Sequence, residues 1–173
     1  LKEKNPNVIM FDQFCNEANL DAHRFCTSIE ILEATKGEVD VLVATVGTAG
    51  TLCGTAATLK TSNPDLYVAA VEPQKSAVLN GGEAGVHDIP GIGAGFVPPW
   101  YDKSLVDEVI DVADDEAWRT AADIALCEGL PVGTSAGAAI AAATKLAQRK
   151  EFEGKNIVVI LPDAINNYLS RLG

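Results

Sequence analysis

Three features of the sequence predict an α/β fold, in which a mostly parallel sheet carries helices on both faces. First, short runs rich in Val, Leu and Ile end at glycine or proline, as at Val41–Val46, Leu66–Val71 and Asn156–Leu161. Second, these runs alternate with stretches of helical pattern, which favours crossover connections. Third, the runs are almost entirely apolar, as strands covered on both faces are.

The first 36 residues are predicted to differ from the rest of the chain. The sequence begins at Leu1 rather than at Met, and Leu1–Lys4 has the character of a helix end that stops before Pro6. Residues 1–36 are therefore interpreted as a segment continuing from an N-terminal domain that the sequence lacks. Residues 37–173 are interpreted as a C-terminal α/β domain.

Within the first segment, Val8–Phe11 is predicted as a short strand and Gln13–Asp21 as a polar loop. The sequence Thr27-Ser28-Ile29-Glu30 has the pattern of a capping box, which predicts a helix that continues to about Lys36. Gly37 is the expected stop of that helix.

The strand Val41–Val46 is predicted to turn into a helix that ends before Pro64, and Leu66–Val71 is the next strand. Residues 81–99 are rich in glycine and proline without helical periodicity, which is typical of a long functional loop. The remaining predicted elements, in chain order, are a strand at Val106–Val112, an acid-capped helix from Asp114 to Glu128, a very short strand at Leu130–Val132, an Ala-rich helix to about Arg149, the strand Asn156–Leu161 and a short closing helix.

Composition limits the possible partners. The 173 residues carry a net charge of −11, from 24 acidic and 13 basic side chains, which disfavours a nucleic-acid partner. No apolar stretch approaches the ~20 residues that span a bilayer. The four cysteines have neither metal-ligand nor disulfide-framework spacing, so we expect no metal and free thiols in a reducing compartment such as the cytoplasm, or an organelle if a transit peptide has been lost. Cys53 and Cys127 are predicted in the core.

The turn Gly47-Thr48-Ala49-Gly50-Thr51 follows the first buried strand and begins a helix. Free N–H groups at a helix start, small side chains and two hydroxyl groups together predict an anion site, most simply for a phosphate. A P-loop is excluded because no Gly-Lys-Ser/Thr follows. The glycine spacing does not fit a dinucleotide fingerprint, although Glu72 lies where a ribose-binding acid would fall, so a dinucleotide-binding module and a ligand-free turn stay open.

The sequence Gly133-Thr134-Ser135-Ala136-Gly137 fits the Gly-x-Ser-x-Gly pattern of α/β-hydrolases, with Asp163 as a possible acid. His23 and His87 both precede the serine, so the pattern lacks its base. Ser135 is therefore interpreted as a hydrogen-bonding group at the end of the sheet, with a helix N-cap as the alternative. His87 is expected in a structural role, and Asp163 as a helix cap with a ligand contact as the alternative.

Taken together, the motifs resemble cysteine synthase (O-acetylserine sulfhydrylase) and its relative cystathionine β-synthase. Both are fold-type II pyridoxal-phosphate enzymes of the tryptophan synthase β-like fold. The motifs that carry the resemblance are Gly47–Thr51, Gly91-Ile92-Gly93-Ala94-Gly95-Phe96, Gly133–Ala138, Leu161-Pro162-Asp163 with Tyr168-Leu169-Ser170, and Gln13-Phe14 with Asn16 and Asn19.

The resemblance implies pyridoxal 5′-phosphate as cofactor. Gly47, Thr48, Ala49, Gly50 and Thr51 would hold its phosphate, and Ser135 would bond its pyridine nitrogen. Gln13 and Gly91 would line the substrate side. The implied reaction converts O-acetylserine and sulfide to cysteine and acetate. A homodimer and a serine acetyltransferase partner are also implied.

The sequence departs from the family pattern in three ways. Ala49 stands where the family usually has glycine, and Thr27-Ser28-Ile29-Glu30 replaces a more typical Thr-Gly-Pro-Glu. The family's Schiff-base lysine and its Ser/Thr-Gly-Asn loop are absent, so no catalytic residue is assigned and the chain by itself is expected to be inactive. Cystathionine β-synthase activity, with homocysteine as thiol, and a non-catalytic partner-binding fragment are the alternatives.

Overall fold

The computed structural model of the protein describes residues 3–5 and 7–166, and its centre is a four-stranded sheet with the strand order β3-β2-β1-β4. The elements are α1 (Glu17–Ala22), α2 (Ser28–Thr35), β1 (Val41–Thr45), α3 (Gly50–Ser62), β2 (Tyr67–Pro73), β3 (Glu108–Val112), α4 (Asp114–Glu128), α5 (Thr134–Ala147) and β4 (Ile157–Val159). A π-helical turn at His23–Thr27, here called the π segment, joins α1 to α2. Short 3₁₀ turns lie at Gln74–Ser76, Lys103–Leu105 and Lys150–Phe152.

All strand pairs in the sheet are parallel. Val41 of β1 is in register with Tyr67 of β2 and with Ile157 of β4, and Ala69 of β2 pairs with Glu108 of β3. The carboxyl ends of the strands therefore meet at one edge of the sheet, which is where ligands of open α/β sheets bind. The predicted parallel α/β architecture is confirmed.

Helices cover both faces of the sheet because successive side chains of a strand point to opposite sides. Val41 and Val43 pack in a cluster with Ala138 and Leu146 of α5. Leu42 and Ala44 pack in a second cluster that contains Leu52 and Leu59 of α3. Burying a Val or Leu side chain stabilises the fold by about 1.5–3 kcal/mol, so the central strand β1 anchors both layers.

The N-terminal segment differs from its prediction. Val8–Phe11 forms no strand and pairs with no described strand, and Ile9 and Phe11 are about four-fifths exposed (82% and 80%). The predicted polar loop contains α1, which begins where Asn16 accepts a hydrogen bond from the Ala18 N–H at 3.0 Å. Thr27 makes no capping bond, because the π segment already gives it helical backbone angles.

The C-terminal part requires two corrections. Leu130–Val132 forms no strand, and only an antiparallel bridge joins Val132 to Ala164. Cys127 is exposed on α4, whereas Cys53 is buried as predicted. The predicted closing helix and the Tyr168-Leu169-Ser170 motif fall largely on residues 167–173, outside the described residues. Over residues 3–5 and 7–166, none of the helices combines the length and apolar character needed to cross a membrane.

Candidate functional site

A cavity of about 280 Å³ opens beyond the carboxyl end of β1. Most of the sequence-predicted site residues meet there. Its lining consists of Thr45, Gly47, Thr48, Ala49, Thr51, Pro90, Gly91, Ile92, Ser135, Pro162 and Asp163. The turn after β1 and the start of α5 therefore border the same space. Gly50 and Gln13 are the two predicted residues that do not line it.

Thr48 is held as a hydrogen-bond donor toward the cavity. Its Oγ1 accepts a bond from the Asn19 side-chain nitrogen at 2.9 Å and another from the Gly50 N–H at 3.2 Å. A hydroxyl oxygen has two acceptor positions and one proton to donate. Because both acceptor positions are used by the protein, the Thr48 proton is available to a ligand.

The first turn of α3 adds backbone donors. The N–H groups of Thr51 and Leu52 have no acceptor among the described residues. They lie at the start of a 13-residue helix, where the helix dipole favours negative charge. Among the described residues that line the cavity, Asp163 alone is ionisable, so these residues would bind an anion through N–H and O–H groups rather than through cationic side chains.

Glycine lets the turn approach its neighbours. A Cβ at Gly47 would lie 2.6 Å from the Gly91 carbonyl oxygen, and a Cβ at Gly50 would collide with the Asn19 side chain. Ala49 adopts the left-handed conformation, with φ of 67°, which L-residues other than Asn and Asp rarely do. The turn is thus a close-packed cradle of backbone atoms with one strained alanine.

Ser135 lies in the first turn of α5 and is 3% exposed. Its hydroxyl makes no hydrogen bond to any described residue, and the N-cap position is occupied by Gly133. Asp163 instead caps the helix from another part of the chain, accepting bonds from the Ala136 N–H at 2.9 Å and the Ser135 N–H at 3.4 Å. The Ser135 hydroxyl therefore remains for a ligand in the cavity.

The predicted substrate-side residues have different surroundings. Gly91 is exposed, lies in the left-handed region with φ of 87° and forms part of the cavity wall. Gln13 is exposed, and its carbonyl oxygen accepts a 2.8 Å bond from the Asn19 side chain that also bonds Thr48. Gln13 is thus connected to the cradle through Asn19 without lining the cavity.

Two residues singled out in the sequence have structural contacts. His87 Nε2 lies 3.1 Å from the Gly93 carbonyl oxygen, and its Nδ1 accepts from the Ile89 N–H at 3.3 Å. Glu72 is buried, and its two carboxylate oxygens each accept a 2.9 Å backbone bond, from Leu79 and Asn80. Burial raises the pKa of Glu72. Its carboxylate is therefore engaged by the chain rather than free for a ribose.

The sequence did not identify Thr45 and Pro162 as parts of the wall, or Asn19 and His23 as residues behind it. Asp163 has both of the roles considered for it, because it caps α5 and also lines the cavity. Thr45 and Pro162 could have been inferred, because they lie at the carboxyl ends of the adjacent strands β1 and β4. No lysine lines the cavity in the described residues. The same residues contain no group of three or more acidic, His or Cys side chains placed to hold a metal ion.

Comparison with known proteins gives consistent results. Residues 1–163 match the family described as "Pyridoxal-phosphate dependent enzyme". Cysteine synthase A of Escherichia coli is 45% identical over 175 residues, which cover 96% of this chain and 54% of the relative. The chain therefore spans about half the length of the curated relatives it matches.

Solved structures agree with this similarity. A cysteine synthase from Entamoeba histolytica superposes with a TM-score of 0.94 at 45% identity, covering 98% of this chain and 50% of that one. An O-acetylserine-dependent cystathionine β-synthase from Helicobacter pylori gives a TM-score of 0.91 at 38% identity, covering 97% and 54%.

Proposed function

The chain belongs to the pyridoxal-phosphate-dependent enzymes, and on this premise we propose that its cavity holds the cofactor of a cysteine synthase. The whole protein would exchange the acetoxy group of O-acetylserine for sulfide, forming cysteine and acetate. The observation that carries the proposal is the meeting of the Thr48 turn and Ser135 around one cavity. One end of that cavity presents anion donors, and Ser135 presents a hydroxyl that has no partner among the described residues.

The residues present fit the cofactor. The Thr48 and Thr51 hydroxyls would bind the phosphate, together with the N–H groups of Thr51 and Leu52, which have no acceptor in the described part of the chain. The absence of a Cβ at Gly47 lets this turn pack closely against the Gly91 carbonyl oxygen of the facing wall. The Ser135 hydroxyl would donate to the pyridine nitrogen.

When bound, pyridoxal phosphate supplies an electron sink for carbanion chemistry at the amino-acid substrate. Ser135 contributes a neutral donor, which does not transfer a full proton to the nitrogen as an acidic group could. Asp163 lies nearby, but its carboxylate is bound to N–H groups at the start of α5. Both features favour a weakly electron-withdrawing ring, which suits elimination at the β-carbon.

The 173-residue chain alone should not catalyse this reaction, because no lysine lines the cavity in its described part. We propose that the lysine that binds the cofactor is supplied from outside the cavity walls seen here. The test gives the isolated chain, and separately the full-length protein, pyridoxal phosphate, O-acetylserine and sulfide, and measures cysteine. We expect the full-length protein to form cysteine and the isolated chain to form none. Turnover by the isolated chain would refute the requirement for an external lysine.

Cystathionine β-synthase activity is the second candidate, because the similarity extends to the Helicobacter pylori enzyme. Parallel assays of the full-length protein with sulfide and with homocysteine distinguish the two activities. A higher kcat/KM with sulfide supports cysteine synthase, and a higher value with homocysteine supports the alternative. The predicted homodimer, serine acetyltransferase partner and two-part division of the chain stay predictions.

A further inference from the structure

The ring of His23 lies between two threonine hydroxyls. Its Nδ1 is 3.0 Å from Thr27 Oγ1, and its Nε2 is 3.1 Å from Thr51 Oγ1. Thr51 lines the cavity in the first turn of α3, whereas His23 and Thr27 belong to the π segment. His23 does not line the cavity itself, so any effect on a ligand must pass through Thr51.

The direction of these two bonds decides what Thr51 can do. A neutral imidazole has one donor nitrogen and one acceptor nitrogen. If Nδ1 carries the proton, Nε2 must accept from Thr51, and the Thr51 proton points into the ring. If Nε2 carries the proton, it donates to Thr51 Oγ1, and the Thr51 proton is free for the cavity.

We infer that His23 is a positioning residue whose Nε2–H donates to Thr51, while Nδ1 accepts from Thr27, so that the Thr51 hydroxyl donates to the bound phosphate. The inference rests on the proposed cofactor site. Asn19 has the same relation to Thr48: its side-chain N–H donates to Thr48 Oγ1, so the Thr48 hydroxyl proton is left for a ligand in the cavity. The two threonines of the cradle are thus oriented from α1 and the π segment.

Burial supports the neutral form of the ring. His23 is partly buried, and this burial lowers the pKa of its imidazole. The nearest charged side chain in sequence, Arg24, is directed to Asp21 at 3.4 Å. In the neutral ring, the tautomer decides whether Nε2 donates to Thr51 or accepts from it. The property to measure is therefore which ring nitrogen carries the proton.

The first measurement uses the unaltered full-length protein with bound pyridoxal phosphate. Long-range ¹H–¹⁵N spectra of histidine-labelled protein report the tautomer directly, and loss of the signals in His23→Gln identifies them. The Nε2–H tautomer is expected. The Nδ1–H tautomer would overturn the inference whatever the variants do.

The second measurement is the affinity of the protein for pyridoxal phosphate in a double-mutant cycle. Thr51→Val and His23→Leu should each weaken binding by about tenfold, the effect of one lost hydrogen bond to a charged group. The double variant should bind no more weakly than Thr51→Val alone, because His23 acts through that hydroxyl. His23→Gln keeps an N–H donor and should bind within about threefold of the unaltered protein.

Thr58→Val is the matched control. Thr58 also joins α3 to the π segment, through a 3.0 Å bond to the Arg24 carbonyl oxygen, but it does not line the cavity. It should leave the affinity unchanged. Additive losses for His23→Leu and Thr51→Val, or an equal loss for Thr58→Val, would mean general damage and overturn the inference.

Different results would contradict the cofactor site and the positioning role of His23. If Thr51→Val leaves pyridoxal phosphate affinity unchanged, the proposed cofactor site is wrong, and the inference falls with it. If Thr51→Val weakens binding while His23→Leu does not, only the positioning role is wrong. Should His23→Leu fail to fold, His23→Gln and the tautomer of the unaltered protein still decide the question.

Discussion

Gly47 packs so closely against the carbonyl oxygen of Gly91 that a Cβ on Gly47 would lie only 2.6 Å from that oxygen. The two residues belong to the turn after β1 and to the long loop that forms the opposite wall of the cavity. Real Cβ atoms do not approach a backbone oxygen so closely, so any larger residue at position 47 must displace one of the two walls. The backbone of Gly47 is not in the left-handed region, so the requirement for glycine is steric.

Gly47→Ala should therefore weaken pyridoxal phosphate binding by at least tenfold and lower the free energy of unfolding by about 1–3 kcal/mol, the usual cost of overpacking. Gly37→Ala is the control. Gly37 has φ of 80° but open space around it, so this variant should lose about 1 kcal/mol of stability and keep its affinity. Calorimetric titration with the cofactor and urea unfolding measure both quantities. Equal affinities for the two variants would contradict the steric explanation.

Ala49→Gly is expected to increase the free energy of unfolding, whereas Gly47→Ala lowers it. The φ of 67° at Ala49 costs an alanine about 1–2 kcal/mol, whereas glycine adopts this conformation freely. The gain from Ala49→Gly is partly offset by the greater entropy of the unfolded chain. We expect a net stabilisation of up to about 1 kcal/mol by urea unfolding, and a clear loss for Ala49→Val, since a β-branched residue tolerates positive φ least. Destabilisation by Ala49→Gly would contradict the strain.

Ser135→Ala should separate binding from stability. The hydroxyl has no partner among the described residues, so its removal should change the free energy of unfolding of the cofactor-free protein by less than about 0.5 kcal/mol. Affinity for pyridoxal phosphate should fall about threefold to tenfold, because one hydrogen bond is lost.

Ser28→Ala is the matched control for that variant. Ser28 is also fully buried, but its hydroxyl donates to the Arg24 carbonyl and lies outside the cavity lining. It should lose about 1 kcal/mol of stability and keep its affinity for the cofactor. The reverse pattern, with Ser135→Ala destabilised and its affinity intact, would assign Ser135 a purely structural role.

Tyr67 makes stability depend on pH at the alkaline end. Its hydroxyl donates to Glu108 at 2.7 Å, and Arg149 also bonds that carboxylate, at 2.7 and 2.8 Å. Burial, followed by the bond to Glu108, raises the pKa of Tyr67 to about 12. A raised folded-state pKa means that the contribution is complete below the unfolded value of about 10 and is lost as pH rises through the folded value.

Tyr67→Phe should therefore cost about 1 kcal/mol at pH 7, and its difference from the unaltered protein should shrink as pH rises above about 10. Urea unfolding at several pH values measures the difference, and absorbance titration of the tyrosines follows the ionisation. A difference that stays constant up to pH 12 would show that the Tyr67 pKa is not raised.

The central elements could be predicted from the sequence because their signals are local. Apolar runs ending at glycine or proline identify β1 and β2, and acidic residues followed by Gly129 mark both ends of α4. Val8–Phe11 has the composition of a strand, but a strand forms only where a neighbouring strand pairs with its backbone. No local sequence pattern shows whether such a neighbour is present. The capping box at Thr27 failed because a helical turn already precedes it.

The site residues that follow strands could be predicted, whereas those held by contacts from the N-terminal helices could not. The turn residues Gly47 to Thr51 and Ser135 follow strands, and the rule that ligands bind at strand ends brings them together. The roles of Asn19 and His23 were not found, because neither residue follows a strand; their contacts with Thr48 and Thr51 span 29 and 28 residues. Contacts of that span arise only when α1 and the π segment fold against α3. The cofactor-binding roles themselves stay predictions.

Because of the π segment at His23–Thr27, the position of His23 depends on the number of residues in this turn. A π turn holds one residue more than the α-helical turn it replaces. Deleting exposed Phe25 would let α1 run into α2 as one regular helix, but it would rotate His23 by about 100° relative to α2. The shortened chain could thus form a regular helix and still lose the contact between the His23 imidazole and Thr51. The effect of a deletion at this turn should therefore be measured by the affinity for the cofactor rather than by helix content.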